Sequence, residues 1–242
     1  MSPAVMRAAV DAATVWTSPR APRDVDAWAL ADRPDVARWL AGLGPAGRLG
    51  LHGRTLTQLL AGEPVEVVDA DDDWVRVAAL WQPNPGDEPG YLGWVRRAHL
   101  RDEHEDDPAG PAAELPADRV GLLDAARERL GVPYLWGGTS AAGMDCSGLV
   151  HHTYRRAGVV VPRDAAAQLA AAQPVPLGQE RPGDLYFFGD PAAITHVGFV
   201  VASGRMLHAP ENSATVPGAG VVVEEPLAAH LEARLVAAGR LV

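Results

Sequence analysis

The sequence predicts an α+β chain made of two unlike halves, and three observations predict it. Short segments of alternating apolar and polar residues mark the first half as mostly β. The second half places helical patterns first and strand patterns after them, the order of an α+β layout. Between the halves runs RDEHEDDPAGPAAELPAD, residues 101–118, which is acidic, rich in Pro and Ala, and without apolar periodicity. That is the composition of a linker. The expected organisation is a small barrel with a helical insertion over 1–104, a linker over 105–117, and an α+β unit over 118–242.

In the first half, Val36, Leu40 and Leu43 recur at helical spacing with Trp39 beside them, after Pro34 and a capping Asp35 or Asp32. EPVEVVDA and DDWVRVAAL alternate around an Asp-rich turn and read as a hairpin, and GYLGWVRRAHL as a further strand. In the second half, Asp118 caps a helix whose stripe is Val120, Leu123, Ala126 and Leu130, stopped by Gly131. PYLWGGTSAAGMD is loop-like. A second helix starts near Cys146, buries Leu149, Val150, Thr153, Tyr154 and Ala157, and ends at Gly158. DAAAQLAAA forms a third short helix. DLYFF, HVGFVVA, RMLHA and GVVVEE then read as strands, with Ser203-Gly204 turning between two of them.

Composition excludes several functions. Hydrophobic residues make up 48% and charged residues 21%, so the chain can bury a core. A formal net charge of −10 argues against a nucleic-acid partner, which would need a basic face. No apolar run reaches about 18 residues, so no membrane-spanning helix is expected. One cysteine allows no internal disulfide. The start, MSPAVMRAAVDAATVW, lacks a basic stretch followed by an apolar run. A cytoplasmic monomer without cofactor or metal is the expectation.

Cys146 is the residue around which chemistry gathers. A lone cysteine is equally well explained as a small buried hydrophobe. Here, however, Gly143, Ser147 and Gly148 surround it, and it opens a helix, whose positive end favours thiolate and could stabilise an oxyanion. A thiol nucleophile needs a base and a group that orients that base. His196 and His208 lie on consecutive strand segments joined by a short turn and can be neighbours. His196 would take the thiol proton, and His208 would fix its tautomer. Either histidine could instead be a satisfied strand residue. A zinc site is poorly supported without close-spaced ligand pairs.

LGVPYLWGGTSAAGMDCSGLV, VVVPRDAAAQ, RPGDLYFF and ITHVGFVVASGRMLHAP resemble, in order and spacing, the NlpC-type cysteine peptidases of the papain-like superfamily. The resemblance implies a papain-like core over 118–242, with Cys146 as nucleophile, His196 as base, His208 as its partner, and the Tyr134 hydroxyl near the oxyanion. The first half, with QLLAGEPVEVVDADDDWVRVA and QPNPGDEPGYLGWV, resembles the bacterial SH3-like barrel of the dipeptidyl-peptidase VI group. Those enzymes cut the γ-D-glutamyl bond to a diamino acid in small murein peptides with a free N-terminal L-Ala. The resemblance places Glu63 and Tyr91 at the cleft, where with Asp145 they would hold the substrate ammonium. Asp145 can equally be a helix cap. Ser147 is expected near the substrate, and Asp164 aligns with a binding-motif aspartate, although Ala165 stands where the group often has serine. Murein-peptide recycling is the leading expectation. An exported endopeptidase acting on intact wall and a binding module without catalysis are the alternatives.

Overall fold

The computed structural model describes residues 4–190, 193–213 and 217–242. Its first part contains β1 (Val5–Ala8), β2 (Ala12–Trp16), α1 (Ala27–Leu30), α2 (Val36–Leu49), β3 (Thr55–Leu60), β4 (Pro64–Asp71), β5 (Trp74–Ala79), β6 (Tyr91–Arg96) and β7 (Leu100–Asp102). These seven strands form one antiparallel sheet in the order β3-β2-β6-β5-β4-β1-β7. Val15, Leu59, Val65, Val75, Val77 and Val95 make its core. The β4–β5 hairpin turns through Asp72, whose φ of 52° lies in the left-handed region that aspartate tolerates.

The helical insertion is longer than its apolar pattern suggests. Asp35 caps α2 by accepting the Arg38 amide at 2.9 Å, and Trp39 packs on Trp16 at 6.0 Å between ring centres. The run continues past Leu43 to Leu49 across a break at Gly44, φ 59°. Pro45 follows that break and starts the new turn, because its missing N–H is not needed there.

The remainder contains α3 (Arg119–Arg127), β8 (Thr139–Ser140), β9 (Gly143–Met144), α4 (Cys146–Arg156), α5 (Ala165–Ala171), β10 (Gln173–Val175), β11 (Leu185–Asp190), β12 (Ala193–Ala202), β13 (Arg205–His208), β14 (Val223–Pro226), α6 (Ala229–Glu232) and β15 (Leu235–Arg240). Six strands pair antiparallel in the order β10-β15-β11-β12-β13-β14. Helix α4 lies on β12, and Leu149, Val150, Tyr154, Val197 and Phe199 share one core with Leu122 and Leu123 of α3. This is the mixed architecture expected, with helices on an antiparallel sheet preceded by an all-β region.

One local expectation holds only in part, and several strands have no readable signal. Val120 and Leu130 are exposed, 66% and 48%, and α3 buries Leu122, Leu123, Ala125 and Ala126 instead. The helix is only nine residues long, so its buried face is set by where α4 sits rather than by a four-residue stripe. Strands β1, β2, β3, β10 and β15 carry no readable alternation. All five residues of β2 are buried and β15 reads LVAAGR, with Ala-Ala-Gly at its centre, so neither shows a two-residue period.

The segment between the halves is tied down. The Glu114 amide donates to the Arg156 carbonyl at 2.7 Å, and Ala113 bridges to Ala157. The two halves also meet directly. Thr139 bonds both the side chain and the carbonyl of Gln58, and the Thr55 hydroxyl donates to the Trp136 carbonyl. Among the described residues no helix is long and apolar enough to cross a membrane.

Candidate active site

Helix α4 begins where Asp145 caps it, accepting the Gly148 amide at 2.7 Å. That cap requires glycine at 148. A Cβ there would lie 1.9 Å from the Gly138 carbonyl oxygen and 2.8 Å from the Asp145 carboxylate. The space at Gly148 thus holds the 136–138 turn rather than a ligand. Cys146, the first residue of α4, is 9% exposed, and its sulfur takes stabilisation from the backbone N–H groups of Ser147 and Val197. Val197 follows His196 on β12, so the start of α4 and the strand that carries His196 meet at this point.

His196 Nε2 lies 2.7 Å from His208 Nδ1, and His208 Nε2 lies 3.0 Å from the Glu225 carboxylate. A carboxylate can only accept, so His208 carries its proton on Nε2 and offers a bare Nδ1. His196 Nε2–H then donates to it, which leaves His196 Nδ1 with a free lone pair. Glu225 on β14 thereby sets the tautomers of both rings. Gly198 makes room for the pair, because a Cβ there would come 2.9 Å from the His208 Cβ. His196 and His208 were legible in the sequence. Glu225 was not, although it ends the GVVVEE strand that pairs with β13.

Burial governs the protonation states. The Cys146 thiol is pushed up to about 12, mainly by desolvation and next by Asp145. His196 is pushed down to about 4 and His208 to about 3, both chiefly by burial. Burial therefore works against the helix-end thiolate expected from the sequence. Desolvation outweighs the helix dipole, and burial favours the neutral form of both the thiol and the imidazole. Tyr134 is 5% exposed, and its hydroxyl is raised far above the usual range by burial and by its neighbours Cys146 and Asp145. It remains a hydrogen-bond donor beside the sulfur.

Of the three groups expected to hold an ammonium, Glu63 shares no hydrogen bond with the other two, whereas Tyr91 lies close enough to Asp145 to feel its charge. Glu63 is fully buried. Its oxygens take the Leu60 amide, the Gln82 side-chain amide at 2.7 Å and the Arg155 guanidinium, and it meets neither Tyr91 nor Asp145 in a hydrogen bond. The reason is charge pairing. A carboxylate this deep is stable only with a cation, and α4 supplies Arg155, which also stacks over Trp81. Glu63→Ala is expected to cost about 3 kcal/mol or more of stability, read by urea denaturation, because it strands a buried guanidinium. A loss below about 1 kcal/mol would show the pair to be solvated instead.

Asp145 is likewise committed. Oδ1 takes Gly148 and the Ser147 hydroxyl at 3.3 Å, and Oδ2 takes the Gly137 amide at 2.8 Å and Arg163 at 2.7 Å. Tyr91 instead donates its hydroxyl to Asp164 Oδ2 at 2.8 Å. Asp164 precedes α5 but caps nothing, and Oδ1 receives no bond from the described residues. Burial holds the Asp164 carboxyl above its ordinary range. Ser147 is buried and receives a bond from Arg163 at 2.8 Å.

Arg163 went unread, since its place before Asp164 in VPRDA gave no hint of burial. His151 and His152 are buried behind the site and bond the Val161 and Thr139 carbonyls. A cavity of about 970 Å³ lies apart, between α2, the 108–114 segment and the end of α4, and touches none of Cys146, His196 and His208. Among the described residues no group of three or more His, Cys, Asp or Glu side chains could hold a metal ion.

Residues 131–238 match the NlpC/P60 family. A Bacillus subtilis (strain 168) protein named gamma-D-glutamyl-L-lysine dipeptidyl-peptidase is 30% identical, over 84% of this chain and 89% of that protein. A protein of the same name from Bacillus cereus (strain ATCC 10987 / NRS 248) is 27% identical, over 86% and 83%. The crystal structure of an NlpC/P60 family protein from Bacillus cereus ATCC 10987 superposes with a TM-score of 0.87, covering 98% of this chain and 99% of that one at 24% identity.

Proposed function

We propose a reaction and a substrate from one premise: the chain belongs to the NlpC/P60 family and is a cysteine peptidase. The bond cut is the amide between the γ-carboxyl of D-glutamate and a diamino acid, in a murein-derived peptide that begins with L-Ala. Two relatives named for a γ-D-glutamyl-L-lysine substrate, aligned over most of the chain, support this choice.

Cys146 Sγ attacks the γ-carbonyl carbon while its proton passes to His196 Nδ1. The carbonyl oxygen becomes an oxyanion beside the Tyr134 hydroxyl and the amides at the start of α4. His196, now protonated, gives its proton to the nitrogen of the departing diamino acid, and the C–N bond breaks to leave a thioester. Water, deprotonated by His196, then releases the dipeptide and restores the thiol. His208 and Glu225 hold the ring and its charge through the cycle.

The observation that carries substrate choice is the Tyr91–Asp164 pair. Glu63 pairs with Arg155 and Asp145 with Arg163, whereas among the described residues Asp164 forms no ion pair and its one side-chain bond is the Tyr91 hydroxyl. An ammonium has three donors and no acceptor, and it fits a carboxylate beside a phenol oxygen. A free N-terminal L-Ala supplies that ammonium. An N-acylated peptide supplies neither its charge nor its room. The preference fits a peptide already cleared of glycan, and hence recycling in the cytoplasm rather than attack on intact wall. The test compares kcat/KM for L-Ala-γ-D-Glu-L-Lys and its N-acetyl derivative. Acetylation is expected to lower it on the order of 10²-fold, the cost of a desolvated charge left without its partner. Equal values would overturn the ammonium requirement.

A further inference from the structure

We infer that Arg163 is a positioning residue for the nucleophile: it supplies the counter-charge that lets Asp145 cap α4 without repelling the sulfur anion formed in the reaction. The inference rests on Cys146 being the nucleophile and is independent of which peptide is cut.

A cap accepts the free amides at a helix start, and a neutral serine or threonine can do so. This helix uses an aspartate, 7% exposed, in the position directly before Cys146. A buried carboxylate at that distance opposes formation of a second negative charge on sulfur. Arg163 cancels it. Its side chain is 1% exposed. Nη2 donates to Asp145 Oδ2 at 2.7 Å and Nη1 to the Ser147 hydroxyl at 2.8 Å. Nη2 also points at the Gly138 carbonyl, 3.4 Å away. One guanidinium thus grips both residues that flank the sulfur in sequence and the turn packed behind it.

The third side of the guanidinium is held from the other half of the molecule. Nε donates to the Thr57 hydroxyl of β3 at 2.9 Å. Thr57 donates to Gln82 at 2.6 Å, and Gln82 donates to Glu63 and to the Gln58 carbonyl. The chain Glu63–Gln82–Thr57–Arg163–Asp145 is a continuous buried hydrogen-bond path from the N-terminal sheet to α4. A planar fork suits such a site, where donors leave in three fixed directions. The sheet therefore sets where the counter-charge stands, and so helps to build the reactive centre.

The groups that act on the sulfur are Asp145 on its own segment, Tyr134 from the 133–138 segment, the Val197 amide of β12, next to His196, and Arg163. Asp145 raises the thiol and Arg163 lowers it. The chain has one cysteine, so alkylation by iodoacetamide reports this thiol alone.

The experiment measures alkylation of the full chain between pH 7 and 10 in wild type, Arg163→Met, Asp145→Asn and the double variant, with kcat and KM alongside. Arg163→Met is expected to slow alkylation about tenfold at each pH, the effect of one uncompensated neighbouring charge. It should lower kcat on the order of 10²-fold through displacement of the sulfur, with KM little changed. Adding Asp145→Asn should bring alkylation back to within about threefold of wild type. A purely structural role would not be rescued by removing the partner's charge. Unchanged alkylation in Arg163→Met, or a double variant no faster than the single, would overturn the inference. If Arg163→Met does not fold, Asp145→Asn alone decides. It keeps a capping side chain and should speed alkylation, whereas an unchanged or slower rate would refute the counter-charge.

Discussion

Cys146→Ala is expected to reduce hydrolysis of L-Ala-γ-D-Glu-L-Lys to background, a fall in kcat on the order of 10⁵-fold or more, as for loss of any covalent nucleophile. Sulfur at the first turn of α4 has the Val197 amide on one side and the Tyr134 hydroxyl near it on another. No second thiol exists in the chain to take over. The fold should survive, because alanine is tolerated at the first helical position and the cap belongs to Asp145. Released lysine measured by chromatography reports activity, and circular dichroism reports the fold. Turnover within about tenfold of wild type would remove Cys146 from the mechanism.

His196→Ala has the second largest expected effect, a loss in kcat on the order of 10³-fold at pH 7 from removal of the general base. Its pH dependence distinguishes a base from a packing residue. Burial holds His196 down at about 4, so in wild type the ring is neutral throughout the neutral range. Activity should be level from pH 6 to 8 and fall only as pH drops toward 4, where the ring gains a proton and can no longer accept one. With the thiol near 12, the variant must wait for hydroxide to remove the proton. Its rate should therefore climb about tenfold per pH unit across the same range. A variant profile as level as that of wild type would show that His196 does not carry the proton.

How far the site was legible depends on how local each interaction is. Asp145, Cys146 and Gly148 form a cap that spans four positions, and helix-start chemistry is written in such short stretches. His196 and His208 are twelve positions apart but joined by one tight turn, so strand pairing alone brings them together. Arg163 and Thr57 are 106 positions apart, and Arg155 and Glu63 are 92 apart. Nothing in the local pattern of either segment announces those pairs. Glu63 shows the consequence. The family resemblance implied a carboxylate waiting for substrate, and packing against α4 gives it a cation instead. Arg163 shows the converse, a charged residue on a loop-like stretch that turns out to be among the most buried in the molecule.

The sequence by itself determined the two-part α+β order, the helix that presents Cys146, and the hairpin that joins the two histidines, because periodicity, caps and turns act over a few residues. Only the tertiary structure decided that Glu63 and Asp145 are paired with arginines and that, among the described residues, Asp164 Oδ1 receives no hydrogen bond. Buried charge is settled by whichever opposite charge lies within a few ångströms, and for Asp145 and Glu63 those neighbours come from segments distant in the chain.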